Sequence, residues 1–144
     1  MNNSLSNILY EKYIEYSELG ALKIDDKIVS YKELNSKALK LASFLLSCGA
    51  SNESIGIIGQ RKISHYVGVL GAIYANCHYV PINTKYTTNK IKEIINDAKI
   101  NYLISDNSDL LDIYPSLSDL DLKKIIVPEG KCNNDNWIGE DAIL

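Results

Sequence analysis

The residue types that could carry chemistry are present, but their spacing assembles none of the familiar constellations. His65 and His78 stand alone, with no Cys, Asp or Glu at a ligand spacing that would make either a metal site. His65 reads as a surface residue and His78 as a packing or strand-end residue. Ser64 and His65 are neighbours on an expected helix and face different ways, so they do not form a nucleophile–base pair. Asp25-Asp26, Asp119 and Asp121 read as solvated turn residues, since a paired-carboxylate site needs a cleft that separates the two proton affinities. Cys48, Cys77 and Cys132 are far apart and form no CxxC, which suggests neither a disulfide framework nor a zinc site. Glycines at 56 and 59, and at 68 and 71, match neither GxGxxG nor a Walker loop, and read as places where strand and helix backbones pack closely. The ten tyrosines are scattered over helices and strands, as half-buried packing residues are. From the residues themselves no catalytic, cofactor-binding or metal-binding position is assigned.

The elements that would position such residues are easier to read. Leu5, Ile8, Leu9, Tyr13 and Tyr16 recur at helical spacing over 4–18, with Gly20 as a left-handed stop. Ala21-Leu22-Lys23-Ile24, a turn at Asp25-Asp26-Lys27, and Ile28-Val29 predict a small hairpin. Ser30-Tyr31-Lys32-Glu33 has the form of a capping box, in which Ser30 accepts from the amide of residue 33 and Glu33 reaches back to the amide of residue 30. Leu34, Ala38, Leu41, Ala42 and Leu45 give the following helix one apolar face, and Gly49 ends it.

Beyond that point strands and helices alternate. Strands are expected at 54–59, 79–82, 101–104 and 124–127; Pro81 marks a strand end or an edge. Between them lie a helix over 64–75 closed by Asn76, a helix capped by Thr88 that carries Ile91, Ile94, Ile95 and Ala98, and a weak helix over 110–114 ended by Pro115. Strands separated by helices imply parallel pairing through right-handed crossovers. The fold class is therefore α/β: a three-layer sandwich with a mostly parallel sheet plus a small β-hairpin. Residues 1–130 make one α/β unit. Residues 131–144 form a polar tail, irregular apart from Trp137-Ile138 and Ala142-Ile143-Leu144.

Composition agrees with a globular unit. The chain has 144 residues, 46% hydrophobic and 23% charged, with a net charge of −3. Nothing in that balance supplies the basic face that nucleic acid requires. No apolar run approaches the ~20 residues that span a bilayer, and no secretory leader is evident. Neither nucleic acid nor membrane is expected as a partner, and a reduced cytoplasm suits the cysteine usage.

Two segments, in order and suitably spaced, resemble core motifs of the adenylate-forming (AMP-dependent synthetase/ligase) superfamily. The likeness is greatest to the adenylation domains of nonribosomal peptide synthetases. Val29-Ser30-Tyr31-Lys32-Glu33-Leu34 is similar to L-[TS]-Y-x-E-L. Ile73-Tyr74-Ala75-Asn76-Cys77-His78-Tyr79-Val80-Pro81-Ile82-Asn83 is similar to L-K-A-G-x-A-Y-V-P-I-D. Asn76, His78 and Asn83 stand where that motif has Gly, Ala and Asp, and Thr84 and Thr87 where the family has prolines. The resemblance spans most of 5–127.

It implies the N-terminal subdomain of an enzyme that activates an amino acid or other carboxylic acid with ATP to an acyl-adenylate, then forms a thioester. It also implies that the phosphate loop, the adenine-contacting motifs, the acidic residues for ribose and magnesium, and the catalytic lysine lie outside these residues. No catalytic, cofactor or metal residue carries over. ATP and Mg are implied for the complete enzyme and none for this chain alone, which is expected to be inactive by itself. A second polypeptide carrying the remainder, or self-association, is the expected partner. The alternative is a non-catalytic binding or scaffold module, or a truncated gene product of the same family. The helix over 64–75 has apolar residues on a second side (Tyr66, Val69 and Ile73), which predicts an exposed patch there.

Overall fold

In the computed structural model, which describes residues 4–106, 110–128 and 137–138, the first element is helix α1 (Leu5–Glu15). Ser4 caps it by accepting from the amide of Asn7 at 3.3 Å. No residue of α1 is fully buried; it lies on the rest of the molecule through Leu9 and Tyr13. Tyr13 meets Tyr31 edge-to-face, with ring centres 5.0 Å apart. The helix ends at Tyr16, well before Gly20. That glycine is the first residue of strand β1 (Gly20–Ile24), and it is needed for closeness rather than for a left-handed turn. A Cβ there would sit 2.8 Å from Ile28 Cγ2.

β1 pairs antiparallel with β2 (Lys27–Ser30). Asp25 and Asp26 hold φ of 48° and 64°, so both centre residues of the two-residue turn are left-handed. That twist matches the strands it joins, and Asp tolerates it better than most residues.

Helix α2 (Tyr31–Ser47) begins where the cap predicts. Ser30 Oγ accepts from the amide of Glu33 at 3.1 Å. The return half of the box is replaced: the Glu33 carboxylate turns to Lys27 Nζ at 3.5 Å, and Ser30 pairs with Gly20 across the hairpin. Ser30→Ala should therefore cost about 1 kcal/mol, while Glu33→Ala should cost only a few tenths, the value of an exposed ion pair. Urea midpoints of the two variants test this, and equal losses would restore the reciprocal box.

Leu34, Ala38, Leu41, Ala42 and Leu45 are all buried, as their spacing requires. They face helix α3 (Ile63–Tyr74) and the sheet. Asn35, buried in the same interface, accepts a 2.7 Å hydrogen bond from the Tyr74 hydroxyl, whose pKa burial pushes up to about 12.

The sheet contains β3 (Ser54–Ile58), β4 (His78–Ile82), β5 (Tyr102–Ser105), β6 (Lys124–Ile126) and the short β7 (Trp137–Ile138). Their order is β4-β3-β5-β6-β7, all parallel. The expected parallel sheet is present, and Trp137–Ile138 adds a fifth strand to it. β3 leads through α3 to β4. The chain then crosses back over β3 through α4 (Thr88–Asp97) to β5. From there α5 (Leu110–Ile113) and a 3₁₀ turn (Pro115–Asp119) lead to β6.

Strand alternation divides the core into two layers. Ile55, Ile57, Tyr102, Ile104 and Ile126 face α2 and α3; Ile58, Leu103, Ile125 and Val127 face α4, α5 and the 3₁₀ turn. This is the three-layer arrangement expected. The cap of α4 is Thr87, accepting from Lys90 N at 3.3 Å, one residue before the expected Thr88.

Helices α2, α3 and α4 close identically. Gly49, Asn76 and Lys99 take φ of 75°, 58° and 53°, and the next amide in each case (Ala50, Cys77, Ile100) bonds back to Leu45, Ala72 or Ile95 at 2.9–3.0 Å.

The second apolar side of α3 is covered. Tyr66 and Val69 pack on the core and Ile73 is half-buried, so the expected patch on this helix is absent. Exposed apolar side chains lie elsewhere, on α1 (Leu5, Ile8, Ile14), before and within the hairpin (Leu19, Ile28) and on the outer side of α2 (Leu39, Leu46). Cys132, Glu129-Gly130 and Ala142-Ile143-Leu144 lie outside the described residues.

Candidate functional site

In a parallel sheet the strands end on one edge, and a crevice opens where two neighbours send their connections to opposite faces. Here those neighbours are β3 and β5. β3 leads to α3 on one face, and β5 leads toward α5 on the other.

Gly59, Gln60 and Asp106 meet at that crevice. Asp106 Oδ2 accepts from the amide of Gln60 at 2.7 Å. A Cβ at Gly59 would lie 2.5–2.8 Å from the Asp106 carboxyl atoms, so only glycine lets the carboxylate settle there. The pair ties the end of β3 to the end of β5.

The loop after β4 closes a second wall. Asn83 Oδ1 accepts from Lys85 N at 2.9 Å, and the amide of Tyr86 bonds to Asn83 O at 3.1 Å. This side-chain turn does locally what a proline does by restricting φ. The Tyr114 hydroxyl donates to Thr84 O at 2.6 Å, which fastens the loop to the segment after β5.

Between these walls lie two adjoining cavities, of about 410 Å³ and 720 Å³, that share Gly59, Gln60 and Lys85. Lys62 lines the first, and Arg61 and His65 line the second. Among the described residues none of Arg61, Lys62 and Lys85 has a carboxylate within ion-pair distance. Asp106, the one acid among the described lining residues, accepts from the Gln60 amide.

Of the residues weighed from sequence for chemistry, Gly59 and His65 reach this cleft, the histidine half-buried rather than on the open surface. Its Nδ1 is buried with no hydrogen-bond partner. His78 opens β4 at the opposite edge of the sheet, as a strand-end residue. Ser64 is buried, and Asp119 pairs with Lys92 at 3.6 Å. Among the described residues no group of three His, Cys, Asp or Glu could hold a metal ion. Nor is any described helix long and apolar enough to cross a membrane.

Asp106, Arg61, Lys62 and Lys85 were not singled out from sequence. The available signal was their position: each directly follows an apolar strand run in a βα alternation, where strand ends converge.

A family model described as AMP-binding enzyme matches residues 13–142. The chain belongs to that family. Tyrocidine synthase 1 of Brevibacillus parabrevis is 28% identical over 106 residues, covering 73% of this chain and 10% of that protein. Gramicidin S synthase 2 of Aneurinibacillus migulanus is 34% identical over 98 residues, covering 67% of this chain and 2% of that protein.

Among solved structures, a benzoate CoA ligase from Burkholderia xenovorans LB400 superposes with a TM-score of 0.80 at 20% identity, over 97% of this chain and 28% of that one. The N-terminal subdomain of Klebsiella oxytoca NpsA in complex with 3-hydroxyanthranilyl-AMSN gives a TM-score of 0.65 at 25% identity, over 74% of this chain and 28% of that one. The chain thus spans a small part of its relatives' length. Its parallel sheet and antiparallel pair are those of the N-terminal subdomain of adenylate-forming ligases.

Proposed function

We propose that this AMP-binding family chain is the N-terminal part of an adenylate-forming ligase. The complete enzyme would activate an amino acid or other carboxylic acid with ATP and pass the acyl group to a thiol. The family match over residues 13–142 carries this reading, supported by likeness to peptide synthases and to a CoA ligase.

The part played by the described residues is architectural. They supply a sheet edge and two walls, and no catalytic role is assigned to any of them. No magnesium ligand is assigned among the described residues, where no group of three His, Cys, Asp or Glu could hold a metal ion. The reading therefore routes no step of the reaction through metal or nucleotide on this chain.

It further holds that these residues do not adenylate alone. A second polypeptide, or further sequence of a longer one, would complete the enzyme. The exposed apolar residues of α1 and the hairpin favour such cover.

The test is acid-dependent ATP–pyrophosphate exchange. The 144-residue chain alone should stay at background. Adding a polypeptide that begins at the phosphate loop should restore exchange and give one complex on a sizing column. Substrate-dependent exchange by the chain alone would reject the dependence on a partner. A compact monomer that ignores that polypeptide would favour the other reading, a binding module of the same family that does no chemistry.

A further inference from the structure

Helix α1 and the hairpin carry apolar side chains that no described element covers. α1 packs inward through Leu9 and Tyr13, and no residue of it is buried. Leu5, Ile8 and Tyr16 stand at spacings that put them on one stripe of the helix, beside that inward face. Lys12 lies along the same stripe, with Nζ 5.7 Å from the centre of the Tyr16 ring. The run continues toward the hairpin. The amide of Leu19 bonds to Tyr16 O, and Ile28 crowds against Gly20, the next residue. Leu5, Leu19 and Ile28 are each more than half exposed. A continuous row of exposed apolar groups marks an interaction surface.

The charges around it say what kind of partner fits. Lys12 is taken by Glu15 at 2.6 Å, Lys23 by Asp26 at 3.5 Å and Lys27 by Glu33 at 3.5 Å. Glu11, Glu18 and Asp25 are left with no described cation within ion-pair distance, against one uncommitted lysine, Lys32. Glu11 and Glu15 border the stripe on its outward side. The surface is therefore apolar with an acidic rim. A second copy of the chain would set the same acids against each other, since a two-fold contact pairs a patch with itself. An anionic lipid surface would be repelled by the same rim. A cationic amphipathic helix is attracted: it can lay its apolar side on the stripe and aim lysines or arginines at the acids.

We propose that α1 and the hairpin seat a basic amphipathic helix of another polypeptide. Its apolar side covers Leu5, Ile8, Tyr16, Leu19 and Ile28, and its cations meet Glu11, Glu18 and Asp25. Such a helix would belong to the completing polypeptide named above, so its source rests on that reading, whereas the chemistry of its seat rests on the surface alone.

Three synthetic peptides of about 21 residues serve as probes: a helix with leucine on one side and lysine on the other, its counterpart with glutamate for lysine, and the leucine–lysine composition scrambled to have no apolar side. Each is titrated into the ¹⁵N-labelled full chain while amide shifts are followed. The lysine helix should bind, move the amides of residues 5–19 and 27–30, and weaken several-fold between about 50 and about 500 mM salt. The other two peptides should bind at least about tenfold more weakly. Leu5→Ser/Leu19→Ser should lose the lysine helix. Glu11→Lys/Glu18→Lys should weaken it at least about tenfold and admit the glutamate helix. These four positions are exposed, so the variants should melt with the parent, and melting curves check this. Glu93→Lys/Asp97→Lys, on α4, should leave binding unchanged. Equal binding of the scrambled peptide, shifts confined to other elements, or undiminished binding by either folded variant would each overturn the seat. So would a dimer that Leu5→Ser/Leu19→Ser abolishes, or capture by phosphatidylglycerol vesicles through the same residues. A bound lysine helix with no exchange from the completed pair would fault the ligase reading and leave the seat standing.

Discussion

Leu41→Ala should destabilise the fold by about 3 kcal/mol, Gly71→Ala by about 1–2 kcal/mol, and the double variant by clearly less than their sum. Leu41 is fully buried between α2 and α3. Truncating it removes transfer energy and leaves a cavity in a close-packed interior. At Gly71, an added Cβ would stand 2.8 Å from Leu41 Cδ2, 3.0 Å from Cγ and 3.2 Å from Cβ. Crowding of that kind costs about 1–3 kcal/mol, against a gain of up to about 1 kcal/mol for replacing glycine inside a helix.

Once Leu41 is alanine, two of those three atoms are gone and the new methyl partly fills the space. The coupling should therefore exceed about 1 kcal/mol and favour the pair. Urea unfolding of the four proteins measures it. Strict additivity would mean that α2 and α3 do not meet at these residues.

The second large effect is at the cleft. Gly59→Ala should cost about 2–4 kcal/mol, because the methyl would occupy the place of the Asp106 carboxylate and break its bond to the Gln60 amide. Displacing a packed group costs about 1–3 kcal/mol, and a hydrogen bond to a charged group is worth about 1.5–3 kcal/mol, the two overlapping here. Asp106→Ala gives up the hydrogen bond but frees the space. Gly59→Ala should then be nearly neutral in an Asp106→Ala background. A full Gly59 penalty in that background would place the clash elsewhere.

What could be read from the sequence was whatever is written in neighbouring residues. The hairpin, the Ser30 cap, the apolar face of α2 and the four main strands depend on spacing within a few positions, and each lies where expected. Errors arose where a distant contact decides. Glycine is cheap in the left-handed region, so Gly20 suggests a helix stop, yet its requirement comes from Ile28 across the hairpin.

Lys99 gave no sign of its left-handed backbone. Residue type announced Gly49 and Asn76, but at Lys99 the same closure is enforced by Ile100, which must turn inward to be buried beside Ile95. Helical periodicity cannot show what lies beside a helix, so it does not reveal that the second apolar side of α3 is covered. The cleft was the least legible feature. Gln60 and Asp106 are 46 positions apart, and only the strand order β4-β3-β5 brings their loops together.

Pro81 has a consequence for how this molecule can meet others. It sits on β4, the outer strand, opposite Ile57. The amide of His78 points inward, to Glu53 O, so by alternation Tyr79 and Pro81 turn their backbone groups outward. Proline has no amide hydrogen to offer. A foreign strand laid along this border would find a single outward donor within β4, at Tyr79, and a missing rung beside it. Growth of the sheet by templating is thereby discouraged at the border where an amyloid-like or strand-swapped contact would otherwise begin. At this border association has to proceed through side chains.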